Sequence, residues 1–370
     1  MIGERLMKIL IFGGTGAMGT PIVRILAEKN CQVFVTTRKS RNSDNQNIKY
    51  IMGDAHDLGF VQHILKQQRY DAIVDFMVYW PSEFKERAEL FLESTAHYLF
   101  LSSSRVYAHS EKSLTEDSPR LLDVCEDAIY LATDEYALAK AREENVLFES
   151  KNKNWTIIRP YITYNTERLQ LGTLEKDIWL RRALQLQSIP LPKDIANRRT
   201  TMTHGDDVAK AMTCLIGNMR AMGEAVHLTG TESMSWQEVL YIYLDVIERK
   251  TDHKAKIFMP DDSREIAEIM NNNYQIKYDR LYDRVFDNSK MLSLCGSNLQ
   301  ITPMKTGLTK CLEEFVRNPN WHIDARSDAL FDRCIGEGTE LIEFEGVKQK
   351  LKYLGWRYAP NLMKLIKTVS

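Results

Sequence analysis

The chain has 370 residues, and at roughly 150 residues per domain that is one large α/β unit or two lobes. Forty-nine Lys+Arg against 50 Asp+Glu leave a net charge of -1, which argues against a general nucleic-acid or anionic-membrane partner. With 44% hydrophobic and 27% charged residues the composition is neither disordered nor fibrous. No apolar run approaches the roughly 20 residues a membrane helix needs.

The opening MIGERLMKILIFGG runs from its apolar stretch straight into glycines with no small-residue cleavage site, so it reads as a first strand and not as a signal peptide. From residue 7 to about 160, short β-branched and aromatic runs alternate with helix-length segments, the pattern of βαβ units around a parallel sheet. The predicted strands are KILIFGG, CQVFVTTR, IKYIMGD, YDAIVDFMV, HYLFLSSS and WTIIRPY. Between them, TPIVRILAEKN carries Pro21 in a first turn that tolerates it, and DEYALAKAREENVLFES repeats apolar residues at three and four. After Arg159-Pro160 the pattern loosens over RLQLGTLEKDIWLRRALQLQSIPLPKD and returns to one strand-helix unit at TTMTHGDDVAKAMTCLIG. Regions 232–250 and 303–317 read as amphipathic helices, and the last fifty residues are helical in pattern. The six cysteines are scattered without C-x-x-C or metal spacing, so reduced thiols, a cytoplasmic location and no metal site are expected.

The sequence Gly13-Gly14-Thr15-Gly16-Ala17-Met18-Gly19 lies between an apolar strand and a helix. There the backbone can approach a phosphate pair closely, and free N–H groups at the positive helix end favour negative charge. About twenty residues on, a bare adenosine ribose calls for a carboxylate and a 2′-phosphate for cations or hydroxyls. The second strand ends Thr36-Thr37-Arg38-Lys39, so NADP is favoured over NAD.

The fifth strand ends in Ser102-Ser103-Ser104-Arg105-Val106-Tyr107, followed some thirty residues later by Tyr136-Ala137-Leu138-Ala139-Lys140. Spacing of four places Tyr136 and Lys140 on one helical face, where an ammonium favours the phenolate that exchanges a proton as a hydride moves. A serine hydroxyl at the neighbouring strand end can hydrogen-bond the same reacting oxygen.

Gly13, Gly16 and Gly19 at G-x-x-G-x-x-G spacing, the Ser-rich strand end, Y-x-x-x-K and Arg159-Pro160-Tyr161 occur in the order found in the extended short-chain dehydrogenase/reductases, the NAD-dependent epimerase/dehydratase family. The resemblance covers roughly residues 7 to 317. It implies an α/β fold, a Rossmann-type doubly wound parallel sheet with a smaller C-terminal substrate-binding lobe. The expected boundaries are 1–165 for the NAD(P)-binding domain, completed by about 200–217, then 166–199 and 218–318 for the lobe and 319–370 for a helical extension.

The resemblance also implies catalytic roles for Ser103, Tyr136 as general acid/base, and Lys140, which would bind the nicotinamide ribose as well. It implies cofactor contacts at Gly13, Thr15, Gly16, Ala17, Met18, Gly19, Arg38, Asp54, Ala55, Phe76, Pro160 and Ile162. Substrate contacts are expected at Tyr79, Trp80, Ser104, Arg198 and Arg199. The chain departs from the family pattern in several places: Asn165 stands at the final glycine of R-P-x-N-V-Y-G, and strand four ends Phe76-Met77-Val78 in place of Leu-Ala-Ala. Ile162 replaces the substrate-side Asn, Thr200 stands at the diphosphate-binding Arg with Arg199 one residue before, and Ser104-Arg105 replaces the Asp-Glu pair of the dehydratases.

The expected activity is hydride transfer at a carbon of a sugar, nucleotide-linked or free, by a reductase or epimerase. The balanced charge leads to the expectation of no nucleic-acid and no membrane partner, and a homodimer is left open. The alternative is a catalytically idle dinucleotide-binding regulatory or RNA-binding protein on the same fold, against which retention of both Tyr136 and Lys140 argues.

Overall fold

A computed structural model describes residues 6–16, 18–296 and 299–369. The chain divides into two compact units, one of Met1–Asn165, Thr201–Ser233 and Arg284–Met304, the other of Thr166–Thr200, Met234–Asp283 and Lys305–Ser370.

The first unit is built on a seven-stranded sheet. Its strands are β1 (Lys8–Phe12), β2 (Gln32–Thr37), β3 (Ile48–Met52), β4 (Tyr70–Asp75), β5 (Thr95–Leu101), β6 (Trp155–Pro160) and β7 (Glu224–Leu228). They pair in parallel in the order β7-β6-β5-β4-β1-β2-β3. The six strands expected from the pattern are all present. β7 comes from a stretch assigned to the substrate lobe by sequence; its buried Val226 and Leu228 complete the sheet beside β6. The strand expected at TTMTH is instead two two-residue pieces, Arg199–Thr200 and Thr203–His204.

Helices α1 (Gly19–Glu28), α2 (Leu58–Gln67), α3 (Pro81–Ser94), α4 (Tyr136–Glu149) and α5 (Gly205–Leu215) connect the strands. Alternation along each strand sends Ile9, Ile11, Val33 and Val74 to one face, against Ile22 and Leu26 of α1 and Val208 and Met212 of α5. Leu10, Phe12, Ile73 and Phe100 face the other way, against Val61 of α2, Phe84 and Phe91 of α3 and Leu147 of α4. Both faces are therefore dry, which is why the central strands read as continuous apolar runs. The strand order reverses between β1 and β4, the crevice where open α/β sheets bind ligands.

The second unit is largely helical. The Lys176–Leu184 and Trp236–Thr251 helices meet where the Trp179 and Tyr243 rings stack 4.4 Å apart, and Ser235 with Glu238 forms a capping box on the second of them. The C-terminal fifty residues belong to this unit. Arg182, fully buried, donates to Asp332 and Glu337 at 2.8 Å each, and Arg181 pairs with buried Asp328. Asp332 also accepts from the Tyr353 and Thr339 hydroxyls, so the extension is packed through buried ion pairs that periodicity does not reveal. Among the described residues no helix is long and apolar enough to cross a membrane.

Candidate functional site

The glycine turn leaves β1 at Gly13, whose φ of +70° is open to glycine at no steric cost. Its carbonyl accepts from Gly16 N–H at 3.3 Å, and Gly16 accepts from Thr20 N–H at 3.0 Å, which closes the turn onto α1. A Cβ on Gly19 would lie 2.5 Å from the Gly14 Cα, so only glycine lets the helix start this close to the strand. Beside the turn lies a cleft of about 200 Å³ lined by Gly13, Thr15, Arg38, Asp54 and Ala55 together with Thr36, Thr37, Gly53, His56 and Met77.

Five of the predicted cofactor residues are thus brought together. Phe76 packs behind them, its Cβ 3.2 Å from where a Cβ on Gly13 would be. Gly16 and Met18 shape the turn without lining the cleft, and Ala17 lies outside the described residues. No carboxylate ends β2: Thr37 turns its hydroxyl onto Lys39 O at 3.0 Å, and the Arg38 side chain is exposed at the rim. These features fit a dinucleotide, with the turn's backbone N–H groups for the pyrophosphate and the exposed Arg38 for the adenosine end.

The sequence reading missed what holds the far wall. Arg87, buried on α3, donates to the carbonyls of Ala55 at 3.0 Å and of His56, fastening the turn after β3. Its guanidinium also lies 4.8 Å from the Tyr79 ring. Tyr79 was expected to flank substrate, yet it is buried and its phenol donates to Asp75. Burial and the Asp75 carboxylate push that phenol well above the ordinary tyrosine range. It has a core position because the aromatic cluster under α3 encloses it, while its neighbour Trp80 is 62% exposed.

At the end of β5 the three serines part company. Ser102 Oγ donates to buried Glu144 at 2.6 Å, and Ser104 Oγ donates to Arg159 O at 2.8 Å. Ser103 Oγ instead accepts from Arg105 N–H at 3.2 Å, so it is the serine whose own proton is given to no acceptor among the described residues. Ser104, expected at the substrate, is fully buried and pins the strand end to β6. Glu144 is gripped by Arg159 through two nitrogens at 2.8 Å and by Arg120 at 3.2 Å, which sets α4 against β6.

Tyr136 is the first residue of α4 and is 37% exposed, with the Arg105 guanidinium 5.4 Å from its ring. Arg105, which the motif reading noted only as a departure, is held by Glu135 at 2.5 Å. Lys140 lies one turn along but is buried: its Nζ donates to Glu143 at 2.8 Å and sits 4.7 Å from the Phe100 ring. Burial raises Glu143 to about 7 against the opposing pull of Lys140, and nearby Asp75 and Glu144 add to the rise. Asp75 itself is raised, by burial above all, although Met77 N–H and the Tyr98 hydroxyl stabilise its charge. Lys140 therefore sits inside a buried acidic cluster. Glu143 was missed, although a Glu three residues after a Lys on one helix is visible in the sequence.

Pro160 ends β6 and is buried, as is Ile162, whose φ of +27° is strained for a β-branched residue. An Asn, which the resembled family has here, tolerates that region better; Ile162 is held in it as its carbonyl accepts from Thr203 N–H at 3.0 Å. Arg198 and Arg199 belong to the second unit, with exposed side chains on a backbone fixed by Trp236 and Asp283. No cluster of three His, Cys, Asp or Glu among the described residues is arranged to hold a metal ion.

A Rossmann-type sheet with a glycine turn at its switch point and Tyr and Lys on the helix before β6 defines a dinucleotide-binding α/β protein of the short-chain dehydrogenase/reductase kind. The chain belongs to the NAD dependent epimerase/dehydratase family, whose model matches residues 9–228. It is 28% identical over 245 residues to the chloroplast stem-loop binding protein of 41 kDa b of Arabidopsis thaliana, a match covering 62% of this chain and 60% of that protein. In fold it is similar to dTDP-glucose 4,6-dehydratase from Bacillus anthracis, solved with NAD, with a TM-score of 0.64 at 15% identity over 85% of this chain and 98% of that one. UDP-glucuronic acid 4-epimerase from Bacillus cereus, solved with UDP-glucuronic acid and NAD, gives a TM-score of 0.61 at 15% identity over 85% and 100%.

Proposed function

We propose that this chain is an enzyme that binds a nicotinamide dinucleotide at the glycine turn and changes the oxidation state or configuration at a carbon of a nucleotide-linked sugar. The observation that carries the reading is the division of labour at the β5 end. Ser102 and Ser104 spend their protons on the fold, while Ser103 keeps its own and Tyr136 remains half-exposed. The bound nicotinamide would supply the hydride acceptor or donor. Tyr136 would move the proton on the substrate oxygen, Ser103 would hydrogen-bond that oxygen, and Arg105 and Lys140 would favour the phenolate.

NADP is the preferred cofactor in this reading, because Arg38 and two threonines stand where a ribose-binding carboxylate would be. The neighbours bound to NAD and the epimerase bound to UDP-glucuronic acid support the broader class. Arg198 and Arg199 are the cations proposed to meet a substrate diphosphate, with Trp80 as the remaining flanking aromatic. The cytoplasm is the proposed location. The test is to denature the purified protein and identify any nucleotide released, then titrate the stripped protein with NADPH and NADH. Retained or titratable nucleotide, followed by turnover of a uridine- or thymidine-diphosphate sugar, is expected. No binding of either cofactor overturns the reading.

A second reading is favoured by the Arabidopsis relative, which is named for binding stem-loops. In it the same chain would bind structured RNA, and Tyr136→Phe would leave that binding intact. A gel shift with a stem-loop RNA across a salt series distinguishes it, since phosphate contacts give a steep salt dependence.

A further inference from the structure

A second pocket of the first unit lies away from the glycine cleft. It has a volume of about 350 Å³ and is lined by Lys29, Lys210, Thr213, Cys214, Cys295 and Leu299, among others. Cys214 is in the last turn of α5, and Cys295 ends the Ser289–Cys295 helix. Both thiols line this one pocket. The Cys295 sulfur also lies 3.7 Å from the carbonyl of Ala211, one helical turn before Cys214, so it is seated directly on that turn. Both residues are partly exposed, and all six cysteines are free thiols.

The chemistry of the pair is asymmetric. The Cys295 thiol and the Lys29 ammonium favour the Cys214 thiolate against the opposing effect of burial. Cys295 moves the other way, raised by its neighbour Cys214 and by burial. The other charge lining the pocket, Lys210, pairs with the buried Asp207 at 2.9 Å. Two partly exposed thiols lining one pocket beside two lysines can serve as an attacking and a resolving cysteine.

We propose that Cys214 and Cys295 form a peroxide-oxidised modification site, closing reversibly to a disulfide. The Cys214 thiolate attacks one oxygen of hydrogen peroxide, the O–O bond breaks, and the departing hydroxide takes a proton to leave as water. Cys214 is then a sulfenic acid. The Cys295 sulfur attacks it, the S–O bond breaks, and the hydroxyl leaves as a second water with the Cys295 proton. Two thiols lose two electrons in total and the peroxide gains them. The bridge ties the last turn of α5, which packs against α1, to the helix ending at Cys295.

The full chain is treated with hydrogen peroxide, and its thiols are counted and its intact mass and non-reduced peptides are measured. Two of the six thiols should disappear, with a mass lower by two hydrogens, a Cys214–Cys295 cross-linked peptide, and full reversal by dithiothreitol. Cys295→Ser should stop at a sulfenic acid on Cys214, trapped by dimedone. Without oxidant, iodoacetamide at neutral pH should label Cys214 on the order of tenfold faster than Cys295. A bridge between other cysteines, dimedone labelling independent of position 295, or a Cys214 no faster than Cys125 or Cys334 would overturn the proposal. These readouts need no cofactor and no activity, so they are independent of the proposed reaction.

Discussion

The two ends of the candidate site are built by opposite means. The glycine turn is made of backbone: a positive φ, no Cβ, a closely packed helix start, and an open rim where Arg38 is exposed. The Tyr136–Lys140 helix start is made of side chains, with Lys140 and Glu143 both buried and Asp75 beside them. The first end is proposed to meet an anion through backbone and a solvent-exposed cation. At the second, the key cation already has a partner in the protein. A charge held this way is positioned before any ligand arrives, but desolvating it is costly unless the cluster stays paired.

The contrast is broken most severely at Tyr136. Tyr136→Phe removes a hydroxyl from a residue that is 37% exposed, so melting should barely change. Turnover should fall by about 10²–10⁴ if that hydroxyl is the acid/base group. Retained kcat in a steady-state assay, at unchanged cofactor affinity, would leave the helix start without its chemical role.

At the open end, Arg38→Ala should weaken NADPH by about 1.5–3 kcal/mol through loss of a charge-assisted contact, and NADH by little. Fluorescence titration of both cofactors measures the difference. Equal losses would mean that the rim does not read a 2′-phosphate.

The smallest effect sharpens the buried end. Burial raises the folded-state pKa of Glu143 from 4.5 to about 7, so between those values the folded chain binds the proton more tightly than the unfolded one. The stability contributed is fully present at lower pH and is lost as pH rises toward 7. Glu143→Gln should flatten that part of the profile relative to wild type in urea melts followed from pH 4.5 to 7.5. Superimposable slopes would show that Glu143 does not take up a proton on folding.

Pattern alone recovered the six strands up to Pro160: the central ones are dry on both faces and so largely apolar, while the half-exposed β3 shows itself by its β-branched and aromatic residues. It missed β7 and the packing of the C-terminal fifty residues, since a five-residue strand with a histidine and a glutamate carries little periodic signal and the extension is anchored by buried ion pairs. Of the residues singled out by motif order, Gly13, Arg38 and Asp54 line one cleft and Tyr136 and Lys140 share one helix, whereas Tyr79 and Ser104 are buried and bonded within the fold.

What the sequence determined by itself was therefore local: spacing of three for the glycines, four for Tyr136 and Lys140, and alternation along strands, all set by bond geometry within a few residues. Which serine keeps its proton, which acid holds Lys140, and which cysteines meet are settled only by the tertiary structure. Those pairings join residues from 3 to 81 positions apart in sequence, counting 140 to 143 and 214 to 295. Those contacts depend on how side chains pack, and spacing along the chain does not encode that.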